Sequence, residues 1–275
     1  MSLYIASINS GSNGNCYYIG SNSDAVLIDV GISCRETEKR MKKMGLNIKT
    51  VRAIFVSHEH KDHIAGVSTL ANKYNLPVYI TGKTATNGPR LIKHLSKNFS
   101  AKKPVRIGEL VITPFSKFHD AADPHSFIVS YNNNITVGII TDIGKVCTEV
   151  VAHFKQCHAV FLEANYDVEM LENGRYPVYL KNRIRGGLGH ISNHEALGLF
   201  INHRSPFLSH LLLSHLSKEN NSPQIAEELF SSYAGNTKII IASRYEQTEV
   251  YKISGALQTV NEISIAEPVQ LGLFN

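Results

Sequence analysis

The sequence predicts an α/β (α+β) protein built as a four-layer αββα sandwich, in which two packed sheets carry helices on their outer faces. Short runs rich in β-branched and aromatic residues alternate with longer amphipathic runs along the chain. The two halves have a similar make-up, since each consists mostly of strands followed by helices. No Pro/Gly/Ser-rich linker, low-complexity stretch or repeat separates them, so we expect residues 1–275 to form one domain.

The predicted elements follow one another in the same manner in both halves. In the first half, clusters of β-branched and aromatic residues between turn residues predict strands at 17–20, 25–30, 53–57 and 77–81. Helical periodicity predicts helices at 34–44 and 64–74. In the second half, strands are predicted at 110–115, 126–131, 136–141, 159–163, 210–214 and 238–242. The helices expected there are 145–154, 192–202 and 223–233.

Composition restricts the class of protein. Its 275 residues are 43% hydrophobic and 19% charged, the balance of a globular protein with a sizeable core. The longest apolar runs are far shorter than the roughly 20 residues that span a bilayer, and the N-terminus lacks the pattern of a secretion signal. We therefore expect no membrane segment and a cytoplasmic location. The net charge of +5 permits an anionic substrate without requiring one.

Cysteine usage agrees with a cytoplasmic location. Cys16, Cys34, Cys147 and Cys157 are scattered, and none of them shows the CxxC spacing of a structural zinc site or a redox pair. We expect these residues to be reduced and mostly buried thiols, as is usual in the cytosol.

A histidine-rich motif follows one predicted strand and precedes an amphipathic helix. It reads SHEHKDH, residues 57–63. Imidazole nitrogens and carboxylate oxygens are the usual zinc ligands, and the same set suits manganese or iron. In a tight loop, His58 and His60 can point to one side while Asp62 and His63 point to another, so one segment can serve two adjacent metals. A surface histidine cluster is the alternative, which the internal position of the motif disfavours.

Three further candidate ligands each come after a predicted strand: His119, Asp142 and His215. One segment cannot complete a catalytic metal shell, so we expect additional ligands at other strand ends. A single His or Asp in such a place is more often a turn or capping residue. The repeated order of a strand followed by a candidate ligand favours a metal site.

Residues 58–63, HEHKDH, match the HxHxDH signature of the metallo-β-lactamase superfamily, and the chain resembles this superfamily over nearly its whole length. The resemblance implies the αββα fold and two divalent metal ions, zinc or manganese, with iron as a further candidate. The implied roles place His58, His60 and His119 on one metal, Asp62, His63 and His215 on the other, Asp142 as the bridge, and Asp29 as a supporting hydrogen-bond partner. Asp62 is assigned a catalytic role as well. A turn or cap is the alternative role for Asp29.

Longer stretches resemble one branch of that superfamily, the YycJ/WalJ-type proteins, which are similar to ribonucleases Z and J and are regarded as DNA exonucleases. The shared stretches are residues 11–15, 119–124, 162–165, 167–171, 189–193 and 215–221. Tyr166 departs from the pattern, since many members carry His there. The resemblance implies a metal-dependent exonuclease acting on DNA.

The segment GHISN, residues 189–193, indicates phosphate chemistry independently of the resemblance. It opens a predicted helix, and a helix start offers free N–H groups and a positive dipole end to an anion. His190 could contact the scissile phosphate or protonate the leaving oxygen, as a catalytic residue, while Ser192 and Asn193 bind substrate. Ser192 could instead cap the helix with Glu195 as its partner, and the two interpretations are compatible.

A run of basic and aromatic residues precedes this segment. Residues 175–185 interleave four basic residues with two tyrosines. Lys181, Arg183 and Arg185 could neutralise phosphates, and tyrosine can stack on an unpaired base. A solvated face is the alternative. The small-residue loop 11–15 could approach a phosphate or form an ordinary hairpin turn.

The leading hypothesis is a phosphodiesterase that acts on nucleic acid, DNA in particular, with two metals that activate a water by lowering its pKa. The alternative is a hydrolase of the same fold that cleaves a small thioester, lactone or lactam. A neutral small substrate needs neither the helix start at His190 nor the basic run. A binding module that lost its metals is disfavoured because no predicted ligand is missing. The sequence gives no indication of an oligomeric partner.

Overall fold

Two β-sheets form the centre of the protein. The computed structural model describes residues 2–255 except residues 92 and 133. Within this part of the chain, each sheet has seven strands, and helices lie on the outer faces of both sheets. The predicted four-layer αββα sandwich is therefore confirmed. The prediction of one domain over residues 1–275 includes 256–275, which lie outside the described residues.

The first half supplies most of one sheet. Its strands are β1 (Ser2–Asn9), β2 (Cys16–Gly20), β3 (Ala25–Ile28), β4 (Val51–Phe55), β5 (Val78–Tyr79) and β6 (Ser96–Lys97). Its helices are α1 (Cys34–Lys43), α2 (Lys61–Ile64), α3 (Val67–Tyr74) and α4 (Gly82–Asn87), with a short 3-10 turn at Ile48–Thr50.

The second half supplies the other sheet and one further strand for the first. Its strands are β7 (Val105–Ile107), β8 (Leu110–Ser116), β9 (His125–Tyr131), β10 (Ile135–Ile140), β11 (Ala159–Glu163), β12 (His210–Ser214), β13 (Lys238–Ile241) and β14 (Tyr251–Ser254). Its helices are α5 (Thr148–Phe154), α6 (Val168–Asn173), α7 (Val178–Arg185), α8 (Asn193–His203) and α9 (Pro223–Ser231).

The two sheets have matching topologies. The first runs in the order β14-β1-β2-β3-β4-β5-β6 and the second in the order β13-β12-β11-β10-β9-β8-β7. In the first sheet the strands from β14 to β3 are antiparallel neighbours, and those from β3 to β6 are parallel. In the second sheet the strands from β7 to β10 are antiparallel, and those from β10 to β13 are parallel. Each sheet therefore presents a row of parallel strands whose carboxyl ends share one edge.

Three apolar layers hold the sandwich together. Between the sheets, residues such as Phe55 and Phe127 pack in one buried cluster. A second cluster joins the outer face of the second sheet to α5, α8 and α9 through residues such as Phe200. A third joins the outer face of the first sheet to α1 and α3 through residues such as Leu70. The sheets are covered on both faces, which accounts for the near-continuous apolar character of β10 and β12.

Several predicted boundaries shift for local reasons. The predicted helix 64–74 is divided into α2 and α3 at Gly66, whose backbone N–H donates to the carbonyl of Val30 at 2.8 Å. A Cβ at Gly66 would lie 2.0 Å from the Ile32 carbonyl oxygen, so this residue is packed tightly against a neighbouring loop. The predicted strand 25–30 ends at Ile28 because Asp29 adopts a φ of 59°. No helix of the described residues is long and apolar enough to cross a membrane.

Candidate metal centre

The predicted site residues meet where parallel strands of both sheets end. Asp29 follows β3, and His58 lies three residues after β4. His60 is the N-cap residue of α2, and Asp62 and His63 lie within that helix. Asp142 lies two residues after β10, and His215 follows β12 directly. The edge where the two sheets meet therefore brings together residues that are distant in sequence, as parallel-strand edges commonly do.

Three of these residues have backbones in the left-handed region. The φ angles are 59° for Asp29, 54° for Asp142 and 57° for His215. Side chains other than glycine rarely adopt this conformation, and it costs roughly 1–3 kcal/mol where the surrounding structure imposes it. Each of these residues turns the chain sharply at the end of a strand. The turn directs the side chain into the centre instead of continuing the sheet.

One set of predicted ligands consists of histidines alone, and we call it the imidazole group: His58, His60 and His119. Nε2 of His58 lies 3.1 Å from Nδ1 of His60, which lies 3.4 Å from Nε2 of His119. Ligand atoms about 2.1 Å from a tetrahedral zinc ion are separated by about 3.4 Å. The spacing of the three nitrogens therefore fits three ligands of one metal ion.

The second set, the acid-rich group, consists of Asp62, His63, Asp142 and His215. Nε2 of His63 lies 3.5 Å from Oδ2 of Asp62 and 3.4 Å from Oδ1 of Asp142. Nε2 of His215 lies 3.5 and 3.4 Å from the same two oxygens. These distances match the spacing of ligand atoms around one zinc-sized ion, so the four side chains can contribute to one site.

The two carboxylate oxygens of Asp142 have different surroundings. Its Oδ1 belongs to the acid-rich group, while its Oδ2 is buried with no hydrogen-bond partner among the described residues. Within the same part of the chain, Nε2 of His215 is also buried without a hydrogen-bond partner. Buried polar atoms are normally paired, because leaving one unpaired costs about 1–3 kcal/mol. A bound cation would satisfy both atoms, so the residues present fit a metal centre.

The two groups differ in their protonation. Burial lowers the pKa of His58 well below its usual range and lowers that of His119 to about 3, so both imidazoles are neutral. Burial also opposes the charged form of His63 and His215, but the neighbouring carboxylates outweigh it. The pKa of His63 is raised well above its usual value, and that of His215 is raised to about 10. The acid-rich group therefore carries positive charge on its histidines when no metal cation is bound.

Asp29 orients the motif through hydrogen bonds. Its Oδ2 accepts from Nδ1 of His63 at 2.7 Å and from the Ser57 hydroxyl at 2.7 Å. The Ser57 hydroxyl lies 2.9 Å from Nδ1 of His58. The Nδ1 nitrogens of both histidines are thereby engaged, and their Nε2 nitrogens face the centre. This arrangement is common among metal-binding histidines, whose second nitrogen is held by a carboxylate or carbonyl.

Glu163 was not predicted as a site residue, although it lies in one of the stretches that resemble the exonuclease branch. It ends β11, is fully buried, and its Oε1 accepts from Nδ1 of His190 at 2.7 Å and from Nδ1 of His215 at 3.2 Å. Its Oε2 accepts from the backbone N–H of Ile143 at 2.7 Å. Burial raises the pKa of Glu163, but the adjacent His190 outweighs burial and the net pKa is lowered. Its position at the end of a parallel strand was the signal that could have identified it.

His190 lies between the two groups. Its ring centroid is 5.3 Å from that of His119 and 5.0 Å from that of His215. Glu163 engages its Nδ1, which leaves Nε2 as the free nitrogen. The side chain is 20% exposed, so a bound molecule can reach it. His190 is therefore placed to exchange a proton with a group held at the centre.

Asn15 is a second residue that the sequence did not identify. Its Nδ2 lies 3.1 Å from Oδ2 of Asp62 and 3.0 Å from Nε2 of His63. Its backbone N–H donates to the Asp62 carbonyl at 2.7 Å. The loop at residues 11–15 connects the antiparallel strands β1 and β2, so it forms a hairpin connection that also supports the acid-rich group.

Comparison with known proteins agrees with this centre. A model of the metallo-beta-lactamase superfamily matches residues 10–143. The chain is 38% identical over 230 residues to a Bacillus anthracis protein named exodeoxyribonuclease YycJ, covering 82% of this chain and 87% of the relative. It is 32% identical over 224 residues to a Streptococcus pneumoniae protein named exodeoxyribonuclease WalJ, covering 79% and 82%.

The chain belongs to the metallo-β-lactamase superfamily. Among solved structures, the metallo-beta-lactamase fold protein YhfI from Bacillus subtilis matches with a TM-score of 0.70 at 16% sequence identity. The match covers 92% of this chain and 100% of YhfI. At that identity the likeness concerns the fold alone. The predicted superfamily and the predicted branch are both confirmed by these comparisons.

The predicted substrate-binding residues at the start of α8 make hydrogen bonds to other residues of the protein. The Ser192 hydroxyl contacts Glu195, and both halves of the predicted capping box are present. Asn193 is fully buried, and its side chain exchanges hydrogen bonds with Asn221 at 3.0 and 2.8 Å. The capping interpretation of Ser192 is therefore confirmed. The contacts of these two side chains give no support to a direct role in substrate binding.

The basic stretch forms α7, and its charges are largely paired. Arg183 contacts a carboxylate oxygen of Asp120 at 2.6 Å, next to His119. Arg185 pairs with the carboxylate of Glu172, and Lys181 donates to the Glu172 carbonyl at 2.6 Å. These contacts reduce the net positive potential of α7 without removing it.

Tyr166, which departs from the branch pattern, has a packing role. It is buried in a small cluster with Leu171 and Ile184, and its carbonyl accepts from the backbone N–H of Asn193 at 2.8 Å. Burial raises the pKa of its hydroxyl to about 12. Tyr166 therefore joins α6 and α7 to the start of α8, and it belongs to neither ligand group.

Proposed function

We propose that this superfamily member is a metal-dependent exodeoxyribonuclease with two divalent ions, zinc or manganese, or else iron. The observation that carries the proposal is the pair of neighbouring ligand groups, one of which contains Asp142, with His190 between them. The relatives named exodeoxyribonucleases, of which this chain covers more than four fifths, support a nucleic acid substrate and DNA in particular. A cytoplasmic location remains a prediction from the sequence.

In this proposal the imidazole group would hold one ion and the acid-rich group the other, and Asp142 would be a ligand shared between them. When bound, two such ions lower the pKa of a coordinated water and stabilise negative charge on phosphate oxygens. Asp62 lies at the exposed side of its group and accepts from Asn15, so its carboxylate can orient an attacking water. Asp29 and Ser57 keep the motif histidines aligned.

His190 would supply the proton that the leaving oxygen needs. The hydrogen bond from Nδ1 to the buried carboxylate of Glu163 fixes the orientation of the ring. The free Nε2 then carries the proton that is transferred. A general acid in such a position typically contributes 10²- to 10⁴-fold to the rate.

A matched assay tests the proposed function. Protein of defined metal content is incubated with end-labelled DNA, with RNA of the same sequence, and with a thioester, a lactone and a lactam reporter. We expect stepwise release of nucleotides from a DNA end, with weaker activity on RNA. Turnover of a small reporter with no release of nucleotides would establish the small-molecule hydrolase instead. RNA cleaved faster than DNA would contradict the DNA assignment while retaining the nuclease.

A further inference from the structure

A cavity of about 300 Å³ lies beside the acid-rich group. Three segments line it, and their lining residues are Ser10, Leu216 to Lys218 with Asn221 and Pro223, and Ile241 to Tyr245. Leu216 directly follows His215, and the Ser10 hydroxyl accepts from the backbone N–H of His215 at 2.8 Å. The cavity and the candidate metal centre therefore share a wall.

The far wall of this cavity, residues 243–245, has a fixed backbone. The Ser243 carbonyl accepts from the backbone N–H of Ser10 at 3.1 Å, and the Arg244 carbonyl accepts from Asn13 at 2.7 Å. The Tyr245 carbonyl accepts from the Arg40 guanidinium at 2.8 Å. Contacts from the loop between β1 and β2 and from α1 thus hold the backbone that carries Arg244 and Tyr245.

The Arg244 side chain, in contrast to its backbone, has an unsatisfied donor. Its Nη1 is buried with no hydrogen-bond partner in the part of the chain that the structure describes. Arg52 and Arg183, by comparison, each pair with a carboxylate at 2.8 and 2.6 Å. A buried guanidinium nitrogen without a partner is costly, and a phosphate is among the groups whose geometry satisfies it best.

Tyr245 completes the wall. Its side chain is 70% exposed, and Cζ of Arg244 lies 5.9 Å from its ring centroid. Exposed aromatic rings beside a basic groove are the usual stacking surfaces for unpaired bases. The apolar lining from Leu216, Pro223 and Ile241 suits the flat, weakly polar body of a base.

We propose that this cavity binds one nucleotide of the strand whose phosphodiester lies on the metal centre. Arg244 contacts a phosphate of that nucleotide, and Tyr245 stacks on its base. The proposal rests on the proposed nuclease function and adds the subsite beside the scissile bond. Lys218 is exposed and also lines the cavity, so it would contact the next phosphate of the strand.

A binding experiment tests the cavity without reference to turnover. The chain contains no tryptophan, so the Tyr245→Trp variant carries a single indole in the cavity wall. The metal-loaded variant is titrated with 2′-deoxyadenosine 5′-monophosphate and with its 3′ isomer. We expect saturable quenching of tryptophan fluorescence by at least one isomer, because a stacked base quenches indole emission.

The Tyr233→Trp variant is the matched control. Tyr233 is 49% exposed, it follows α9, and it is not among the residues that line the cavity. Its fluorescence should remain unchanged in the same titration. Equal quenching in both variants, or none at Tyr245, would overturn the assignment of the cavity.

A kinetic experiment tests the two side chains separately. Arg244→Gln and Tyr245→Ala should each lower kcat/KM on DNA by about tenfold with metal content unchanged, mainly through KM. Arg52→Gln removes the same charge at the opposite end of β4 from His58, and it should leave kcat/KM unchanged. Thermal melting of each variant separates loss of a contact from loss of folding.

Substrates with one abasic position locate the stacked base. Abasic residues are placed one at a time from each end of the oligonucleotide. At one position the Tyr245→Ala loss should disappear, because no base remains there to stack. If the wild type hydrolyses DNA but no abasic position removes the Tyr245→Ala loss, the subsite alone is refuted. Absence of any DNA hydrolysis by the wild type would refute the proposed function, and the fluorescence result would still decide whether the cavity binds a nucleotide.

Discussion

The imidazole group and the acid-rich group lie side by side, yet their histidines differ in charge. In the imidazole group, burial is the largest influence on His58 and His119, and the pKa of each is lowered. Burial acts equally on His63 and His215, but carboxylates in contact with them reverse its effect. Histidines at the same sheet edge therefore differ in protonation before a cation binds. His58 and His119 can accept an ion as neutral imidazoles, whereas His63 and His215 must each lose a proton to bind one.

The largest expected effect follows from substituting Asp142, the proposed shared ligand of the two groups. Asp142→Asn retains the shape of the side chain and tolerates a φ of 54°, where asparagine is more readily accommodated than alanine. The loss of its charge should lower metal occupancy in both groups and reduce activity by about a thousandfold or more. Elemental analysis of protein purified without chelator measures the occupancy.

Asp29→Asn is the matched variant for this experiment. Asp29 is also a buried aspartate at a strand end, but its ring contact is with His63 of the acid-rich group alone. We therefore expect it to lower the affinity of that group by about 10- to 100-fold and to affect the imidazole group less, because Asp29 reaches His58 only through Ser57. If Asp142→Asn removed one ion only, the bridging role would be wrong and the two groups would be independent.

The next effect concerns His190, which lies between the two groups. Beside Asp142, Glu163 and His215 it is also a potential ligand. His190→Ala should reduce nuclease turnover by about a hundredfold, the usual scale for loss of a general acid, and leave the metal content intact. His194→Ala, at an exposed position on the first turn of α8, is the control and should remain active. Full activity of His190→Ala would exclude its proposed role, and loss of metal would reassign it as a ligand.

Proton release distinguishes the two groups directly. The pKa of His63 and that of His215 are raised, so both imidazoles are protonated at pH 7 in metal-free protein and must lose a proton to bind a cation. Binding to the acid-rich group should therefore release about two protons, and its affinity should fall as pH falls. His58 and His119 should contribute no protons to the release near pH 7, because both are already neutral.

Calorimetric titration with metal in buffers of different ionisation enthalpy measures this release. Asp29→Asn removes one of the carboxylates that raise the pKa of His63, so it should reduce the proton count. A single class of binding with no proton release would contradict the difference between the groups.

The sequence is sufficient to predict the fold and to select candidate ligands that the structure brings together, since both depend on local patterns. Apolar strands such as β12 were recognised because they are short, apolar and followed by a distinctive residue such as His215. The motif at residues 57–63 places four candidate ligands within one short segment. β1 was missed because it is buried on both faces while carrying polar residues such as Ser7 and Asn9, so it shows no alternation.

The contacts between distant segments could not be predicted from composition. Glu163 is one acidic residue among 23 Asp and Glu, and only the adjacency of β11 and β12 brings it to His190 and His215. The pairing of charged side chains also depends on contacts between distant segments. The sequence directs attention to Lys181, Arg183 and Arg185, whereas the structure leaves the buried donor on Arg244, which stands alone in the sequence.

The smallest expected effect comes from α7, which lies outside both ligand groups. Removing Lys181, Arg183 and Arg185 together should weaken DNA binding only severalfold, because Asp120 and Glu172 already offset part of their charge. Three unpaired cations would change the slope of log affinity against log salt by up to about 3, and we expect a change of about 1. Metal content and the proton release of both groups should not change.

A triple variant on α1 is the control for total charge, and it removes Lys39, Lys42 and Lys43. Binding of a labelled oligonucleotide across a series of salt concentrations measures both slopes. An unchanged slope in the α7 variant would show that its cations remain bound to Asp120 and Glu172 when DNA binds. DNA contacts would then be confined to the metal centre and the Arg244 cavity. A change near 3 would show that DNA displaces Asp120 and Glu172, and α7 would become a principal binding surface beside the imidazole group.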